Sequence, residues 1–381
     1  MAASPSKRGI SHDLEPLEAR RMLSATSYTT QKLVSDGSDP AAARNDSRLK
    51  NPWGLAVGPR GIEVADNGTG VGTMYDGNGN NVVATVTVAG PGGAKSAPTG
   101  VVFNGTSSAF NGAQFIFVTE NGTINTWTGV KTDKTAPIIV DNSAANAVYK
   151  GAALGTFKKK QYLYVANFKA QTVDVYNSSF TKTHVTAKFP DPGLPKGYSP
   201  FNVTNINNEL YVAYAKHAAG ATDETAGAAL GVVDVFGTDG KLIRRFAAGG
   251  KLNAPWGVAL APSNFGAFSN DILVGNFGDG KITAFNQAGV RKGQLSDAND
   301  DPIVLEGLWG LAFGNNKAGN LTNGLYFGAG TNEEANGLYG RVIADQPTGN
   351  GTSGFPYGLH RSLKIVDLTD APSNDPLDDM T

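Results

Sequence analysis

The chain has 381 residues, of which 40% are hydrophobic, 17% are charged and 49 are glycine. The apolar fraction excludes a disordered chain, and glycine at about twice its usual share is typical of short strands joined by tight turns. The net charge of −1 gives no basic excess for nucleic-acid binding, and the lack of cysteine excludes disulfides, thiolate catalysis and cysteine metal sites. No apolar run reaches the roughly 18 residues of a membrane span.

Residues 1–26 lack the apolar core of a standard signal peptide. Residues 14–25, LEPLEARRMLSA, instead resemble the LEPR-XLL segment at the front of large exported planctomycete proteins. The resemblance implies an export or sorting role, so we expect the protein outside the cytoplasm of a bacterium, either extracellular, periplasmic or on the cell surface. The alternative is a flexible polar arm in which the spacing of leucine and arginine is accidental.

One motif recurs six times after residue 50, and such a repeat decides the fold class. Asn-Pro-Trp-Gly-Leu at 51–55 returns as Ala-Pro-Trp-Gly-Val at 254–258 and as Gly-Leu-Trp-Gly-Leu at 307–311. With three weaker copies, the anchor positions are 54, 100, 151, 202, 257 and 310, spaced by 46, 51, 51, 55 and 53 residues. Each anchor begins a predicted strand, and a second and a third strand follow it.

A fourth strand is predicted in five of the six copies. These strands are placed at 82–88, 137–140, 184–189, 242–247 and 289–295. The sixth copy has no clear fourth strand, and the strand predicted at 28–35 is expected to complete it and so to remove an exposed sheet edge. The fold class is therefore all-β, a six-bladed β-propeller over 27–345 that is closed by its N-terminal strand. The acidic tail 346–381 is expected to be disordered.

Several repeat strings resemble a family of uncharacterised exported bacterial propeller proteins. They are NPWGL at 51–55, ADNGTG at 65–70, APTGVVFNG at 97–105 and LVGNFGDG at 273–280, and the resemblance spans residues 28–343. It implies a propeller of the NHL or gluconolactonase kind and export, but no chemistry, because the family has no established activity. Several members carry C-terminal sorting signals, whereas residues 367–381 of this chain are acidic.

Antiparallel pairing places the start of each inner strand beside the end of the second strand, on one rim of the central channel. We call this rim the mouth, and we expect a ligand there because loops from all blades converge on it. The predicted mouth residues are Trp53, Asp66, Asn67, Glu120, Asn121, Lys150, Asn167, Tyr214, Trp256, Asn276 and Trp309. The three tryptophans either form a stacking platform or, in the interpretation we favour, pack between blades.

Hard oxygen donors at the mouth make Ca²⁺ the one candidate cofactor, since this ion takes six to eight such ligands. The candidate ligands are Asp66, Glu120, Asn167, Asn276 and Glu333. The alternative is that these side chains cap strand ends and turns through nearby backbone amides. The long loop 216–230, which holds His217, Asp223 and Glu224, is expected to be a mobile surface insertion, with a lid as the alternative.

Conventional catalytic motifs are absent from the sequence. The glycine-rich string 275–281 lacks the Ser or Thr of a phosphate loop, 76–87 departs from an EF-hand, and no Gly-x-Ser-x-Gly occurs. The predicted function is an exported binding module for a small molecule, a glycan or a protein. The alternatives are a Ca²⁺-dependent lactonase or esterase with Asp66 or Glu120 as base, and a scaffold without a small ligand. We expect a monomer without nucleic-acid binding or a membrane span.

Overall fold

The computed structural model describes residues 27–83 and 85–345, which form six sheets arranged around one axis. This confirms the all-β, six-bladed propeller. We number the blades by the repeat that each inner strand carries. Residues 1–26 and 346–381, and with them the predicted export segment and acidic tail, lie outside the described residues.

Each blade is an antiparallel sheet whose first strand lies nearest the axis. The inner strands are Pro52–Val57, Pro98–Phe103, Tyr149–Phe157, Tyr198–Ile206, Pro255–Leu260 and Leu308–Phe313. The second strands are Ile62–Asp66, Phe115–Thr119, Lys160–Asn167, Glu209–Lys216, Ile272–Asn276 and Gly324–Ala329. The third strands are Val71–Tyr75, Thr123–Trp127, Thr172–Asn177, Val232–Gly237, Ile282–Phe285 and Leu338–Ala344. The outer strands of blades 1 to 5 are Val86–Val88, Ile138–Asp141, Lys182–Thr183, Leu242–Ala248 and Arg291–Gln294.

The N-terminal strand completes the ring. Tyr28–Ser35 pairs antiparallel with Leu338–Ala344, so that blade 6 takes its outer strand from the other end of the propeller. The prediction that this strand closes the last blade is confirmed. Two short parallel strands flank the sheets, Arg44–Asn45 beside Tyr28–Ser35 and Thr135–Ala136 beside Val86–Val88.

Helix is confined to four short 3₁₀ turns in the described part of the chain. They are Pro91–Gly93, Phe110–Gly112, Ser143–Ala145 and Gly266–Phe268. Within 27–83 and 85–345 there is thus no helix with the length and apolar character needed to cross a membrane.

The outer strand of blade 3 differs from its prediction at 184–189. The strand is only Lys182–Thr183, because the chain then leaves this blade and bonds to a turn of blade 4. The amide of Ala187 donates to the carbonyl of Asp239 at 2.8 Å, and the amide of Phe189 donates to that of Gly240 at 3.1 Å. The apolar pattern of this segment serves the core between blades 3 and 4, where Phe189 is buried.

Apolar side chains form one core between each pair of neighbouring blades, which makes six, and a seventh core on the axis. The core between blades 6 and 1, for example, packs Tyr75 against Tyr339 with ring centroids 5.2 Å apart. Each large buried side chain contributes roughly 1.5–3 kcal/mol to folding. The blades are therefore stabilised by their neighbours, as expected of a repeat protein.

The anchor glycines allow the inner strands of neighbouring blades to approach closely. A Cβ on Gly54 would lie 2.6 Å from the Thr99 carbonyl oxygen, and one on Gly257 would lie 2.6 Å from that of Trp309. Blade 4 has Asn202 at this position. Its Nδ2 donates to the Trp256 carbonyl at 2.9 Å, so a side-chain hydrogen bond joins blades 4 and 5 there.

Candidate functional site at the mouth of the channel

The strand register brings the two predicted sets of strand ends to one rim. Pro52 pairs with Asp66, Pro255 with Asn276, and Leu308 with Ala329. The mouth is therefore built from the starts of the inner strands and the ends of the second strands, as the sequence predicts.

The three repeat-equivalent tryptophans meet on the axis and are 0–4% exposed. Trp53 stacks on Trp309 with centroids 3.5 Å apart, and Trp256 packs edge-on against both at 6.2 and 6.0 Å. We call this cluster the aromatic plug; its members are Trp53, Phe168, Phe201, Trp256, Phe277 and Trp309. The tryptophans are thus packing residues, as favoured above, but they pack against one another across the axis.

A shared backbone feature accompanies these tryptophans. Two positions before each of them stands a residue of positive φ, namely Asn51 at 45°, Ala254 at 45° and Gly307 at 65°. This left-handed conformation costs a residue with a Cβ of order 1 kcal/mol or more, so its recurrence indicates that the axial packing compensates for it. The Trp309 indole donates to Asn51 Oδ1 at 3.0 Å.

Lys150 lies directly above the aromatic plug and is 1% exposed. Its ammonium lies 5.1 Å from the Trp53 ring centroid and 5.7 Å from that of Phe168. It donates to Glu120 Oε1 at 2.5 Å and to Asp223 Oδ1 at 2.9 Å. Burial alone would lower the pKa of Lys150, but the neighbouring carboxylates outweigh it and raise that pKa, so the ammonium stays charged.

The long loop of blade 4 is docked over the mouth. Besides the contact of Asp223 with Lys150, the amide of Gly227 donates to Asn253 Oδ1 at 2.6 Å, and the amide of Thr225 donates to the Lys216 carbonyl at 2.6 Å. The contacts of Asp223 with Lys150 and of Gly227 with Asn253 place the loop over the mouth, as in the lid alternative, while its mobility stays a prediction. Sequence alone gives little signal for this docking, since the loop is rich in alanine and glycine.

Four carboxyl groups surround the single ammonium of Lys150. These mouth carboxyls are Glu120, Asp223, Glu224 and Glu334. Glu120 also accepts from Asn67 Nδ2 at 2.8 Å, and Glu334 accepts from Asn51 Nδ2 at 2.9 Å. Glu224 Oε2 is inaccessible to solvent and has no hydrogen-bond partner among the described residues.

Burial and nearby charges shift the pKa values of the mouth carboxyls in different directions. Burial raises the pKa of Glu224 to about 7 although Lys150 opposes the rise, and the nearby Glu334 and Asp223 add to it. Burial likewise raises the pKa of Glu334. For Asp223, burial opposes ionisation but the charge of Lys150 prevails and lowers the pKa. Glu224 is therefore only partly ionised near neutral pH, because the charge of Lys150 does not offset burial and the neighbouring carboxyls.

Of the predicted mouth residues, six are brought together in the plug and the charged network. They are Trp53, Asn67, Glu120, Lys150, Trp256 and Trp309. Sequence reasoning missed Asn51, and although it places Asn332, Glu333 and Glu334 near the mouth, it does not choose Glu334 as a site residue. It named Glu333 in the same loop, but Asn332, Glu333 and Glu334 all have positive φ, and this turn leaves Glu333 exposed while Glu334 faces Asn51.

The other five predicted residues are engaged within their own or neighbouring blades. Asn121 Oδ1 accepts from the Ala97 amide at 2.7 Å, and Asn167 Nδ2 donates to Asp174 Oδ2 at 3.0 Å. Asn276 donates to the Lys251 carbonyl at 2.7 Å, and Tyr214 packs in the core between blades 3 and 4. Asp66 is fully buried and accepts from Thr73 Oγ1 at 2.8 Å.

The structure does not bring the predicted calcium ligands together. Asp66, Asn167 and Asn276 turn into their blades, Glu333 is exposed, and Glu120 is paired with Lys150. In the part of the chain that the structure describes, no group of three or more His, Asp or Glu side chains is arranged to hold a metal ion. The reading of these residues as strand-end and turn caps accounts for the asparagines.

The fold and the axial site define the class, a six-bladed β-propeller whose axis is filled by aromatic side chains beneath a charged mouth. The chain belongs to a family that includes uncharacterised proteins of Acanthamoeba polyphaga mimivirus. One is 31% identical over 355 residues, covering 89% of this chain and 85% of the relative. A second is 31% identical over 324 residues, covering 80% and 83%. No family model matches the chain.

Solved structures confirm the architecture. Virginiamycin B lyase from Staphylococcus aureus is similar with a TM-score of 0.50 and 14% identity, over 83% of this chain and 99% of that chain. An α-L-arabinanase from Penicillium chrysogenum is similar with a TM-score of 0.54 and 12% identity, over 83% and 98%. A protein of unknown function from Bacteroides thetaiotaomicron also has a TM-score of 0.54, over 83% and 76%. At these identities the likeness shows the fold alone.

Proposed function

We propose that the protein is an exported binding module whose mouth takes a ligand that carries a positively charged group. The observation that carries this proposal is the excess of four mouth carboxyls over the single ammonium of Lys150 beneath a docked loop. Export rests on the resemblance of residues 14–25 to the LEPR-XLL segment.

A second cation at the mouth would offset the unfavourable burial of carboxyl groups beside one another. Glu224 and Glu334 are buried beside other carboxyls, which disfavours their charged forms. A bound ammonium or guanidinium near these groups would stabilise both carboxylates. The ligand would meet these groups on the side of Lys150 that faces away from the aromatic plug, because the plug tryptophans are buried.

The contacts of the two bases suggested for the hydrolase alternative do not favour it. Asp66 is fully buried within blade 1 and bonded to Thr73, so it cannot reach a substrate at the mouth. Glu120 has one oxygen on Lys150 and the other on Asn67. Asp66 is therefore out of reach of a substrate, and Glu120 is engaged as the counter-ion of the buried Lys150 ammonium, which favours the binding module over the hydrolase.

The proposal is tested by calorimetric titration of the full chain with agmatine, which carries a guanidinium and an ammonium. We expect saturable binding at low ionic strength, weakened at least tenfold in a Glu224→Gln, Glu334→Gln double variant because its mouth loses two carboxyls. The matched control is Asp301→Asn, an exposed carboxylate after blade 5, which should bind agmatine as the wild type does. Absence of saturable binding to the wild type would leave the scaffold as the better description.

A further inference from the structure

A cavity lies on the axis of the propeller, on the side of the aromatic plug opposite the mouth. It has a volume of about 290 Å³ and is lined by the inner strands of all six blades. One lining residue from each blade is Leu55, Phe103, Leu154, Thr204, Val258 and Leu311. Trp256 forms part of its wall, so the plug separates this cavity from the mouth.

The cavity opens on the rim opposite the mouth. Val57, Phe103 and Leu154, towards that rim, are partly exposed, whereas the plug tryptophans are 0–4% exposed. A ligand in this cavity would therefore enter without passing the mouth carboxyls or the docked loop. The cavity is independent of the proposed cation site.

The wall of the cavity combines apolar side chains with polar groups from the backbone and from Asn202, Thr204 and Asn205. Each inner strand is the end strand of its sheet, and no backbone hydrogen bond joins the inner strands of neighbouring blades in the described part of the chain. Some backbone groups on these edges are bonded by side chains, since the Leu154 carbonyl accepts from Asn205 Nδ2 at 2.6 Å and the Val203 amide donates to Asn202 Oδ1 at 2.8 Å. The others need water or a ligand as partner. Between them lie the partly exposed faces of leucine, valine and phenylalanine.

We infer that this cavity binds an uncharged, hydroxyl-rich small molecule about the size of one sugar ring. Hydroxyl groups replace water on backbone donors and acceptors with little loss, and the C–H faces of a ring fit the apolar side chains. No charged side chain lines the cavity, so a charged ligand would be desolvated there without a partner. The volume is that of about ten water molecules at roughly 30 Å³ each, enough for one such ring.

The experiment is methyl NMR of the full chain during titration with D-glucose, with D-glucosamine and D-glucuronate as charged counterparts that keep the ring. We expect saturable shifts of the Leu55, Leu154 and Leu311 methyl groups with glucose, and at least tenfold weaker binding of both charged sugars. Lack of saturation up to about 100 mM glucose, or shifts confined to the mouth, would overturn the inference.

Two variants locate the site and separate it from the mouth. Thr204→Phe fills the cavity and should abolish the shifts of the distant leucines, whereas Thr204→Val keeps the size of the side chain and should retain them. Asp223→Asn, at the mouth, should leave glucose binding unchanged. If Thr204→Phe fails to fold, the methyl shifts of the wild type still decide whether glucose enters the channel.

Discussion

Lys150 acts as the fixed cation of the mouth. A buried ammonium is costly unless it is paired and hydrogen-bonded, and here Glu120, Asp223 and two aromatic faces supply that pairing. The partners are unequal in exposure, since the Asp223 side chain is 72% exposed and that of Glu120 is 26% exposed. The contact with Asp223 is therefore the weaker of the two, and it lies on the loop that covers the mouth.

Glu224 makes the stability of the protein depend on pH. Its folded pKa of about 7 lies above the ordinary value of 4.5, so between these values the folded state binds more protons than the unfolded state. Glu224 alone should therefore lower the free energy of unfolding as the pH rises from 4.5 to 7, by at most about 1.4 kcal/mol per pH unit. Urea unfolding across this range should show a shallower fall in Glu224→Gln.

Asp234, a second buried carboxyl, also lowers the free energy of unfolding as the pH rises, and Glu224→Gln leaves this contribution unchanged. Burial raises the pKa of Asp234 to about 7, although Arg245 opposes the rise. The test is consequently the difference between wild type and Glu224→Gln, with Asp301→Asn as the control that should follow the wild type. Identical pH profiles for wild type and Glu224→Gln would contradict the environment described for Glu224.

At the scale of the element, the anchor glycines are a steric requirement. A Cβ at Gly54 would lie 2.6 Å from the Thr99 carbonyl oxygen and 2.8 Å from the Val101 amide nitrogen, and neither backbone atom is free to move away. We expect Gly54→Ala to lower the free energy of unfolding by about 1–3 kcal/mol. Gly105→Ala, whose Cβ would meet only the Phe103 ring at 3.7 Å, should change it by less than about 0.5 kcal/mol. Equal effects in urea unfolding would contradict close blade contact as the reason for the glycine.

The sequence predicts the elements whose pattern is local. The Pro-Trp-Gly strings identify the inner strands of blades 1 and 5, and antiparallel pairing places their tryptophans at the mouth. The outer strand of blade 3 could not be found in this way, because the apolar residues after Thr183 pack on blade 4. Nor does the sequence single out Glu224, whose place depends on a docked loop, or decide between Glu333 and Glu334, whose directions depend on three successive left-handed residues.

At the scale of the whole molecule, closure by the N-terminal strand holds the ring together. Tyr28 is 2% exposed and its hydroxyl donates to the Phe265 carbonyl at 3.0 Å, which ties the strand to blade 5 as well as blade 6. Removing residues 1–36 exposes the edge of Leu338–Ala344, so we expect a lower melting temperature and a less cooperative transition than in a chain lacking only residues 1–26. Equal melting curves for the two chains would show that closure does not depend on this strand.

The central claim, that the mouth is a cation site completed by Glu224 and Glu334, is tested most directly by the protons released when agmatine binds at pH 6–7. Calorimetry in two buffers of different ionisation enthalpy measures this number. A cation that stabilises the carboxylates lowers their pKa in the complex, so the wild type should release protons, and the release should fall in Glu224→Gln. Binding without proton release, or with proton uptake, would contradict the account.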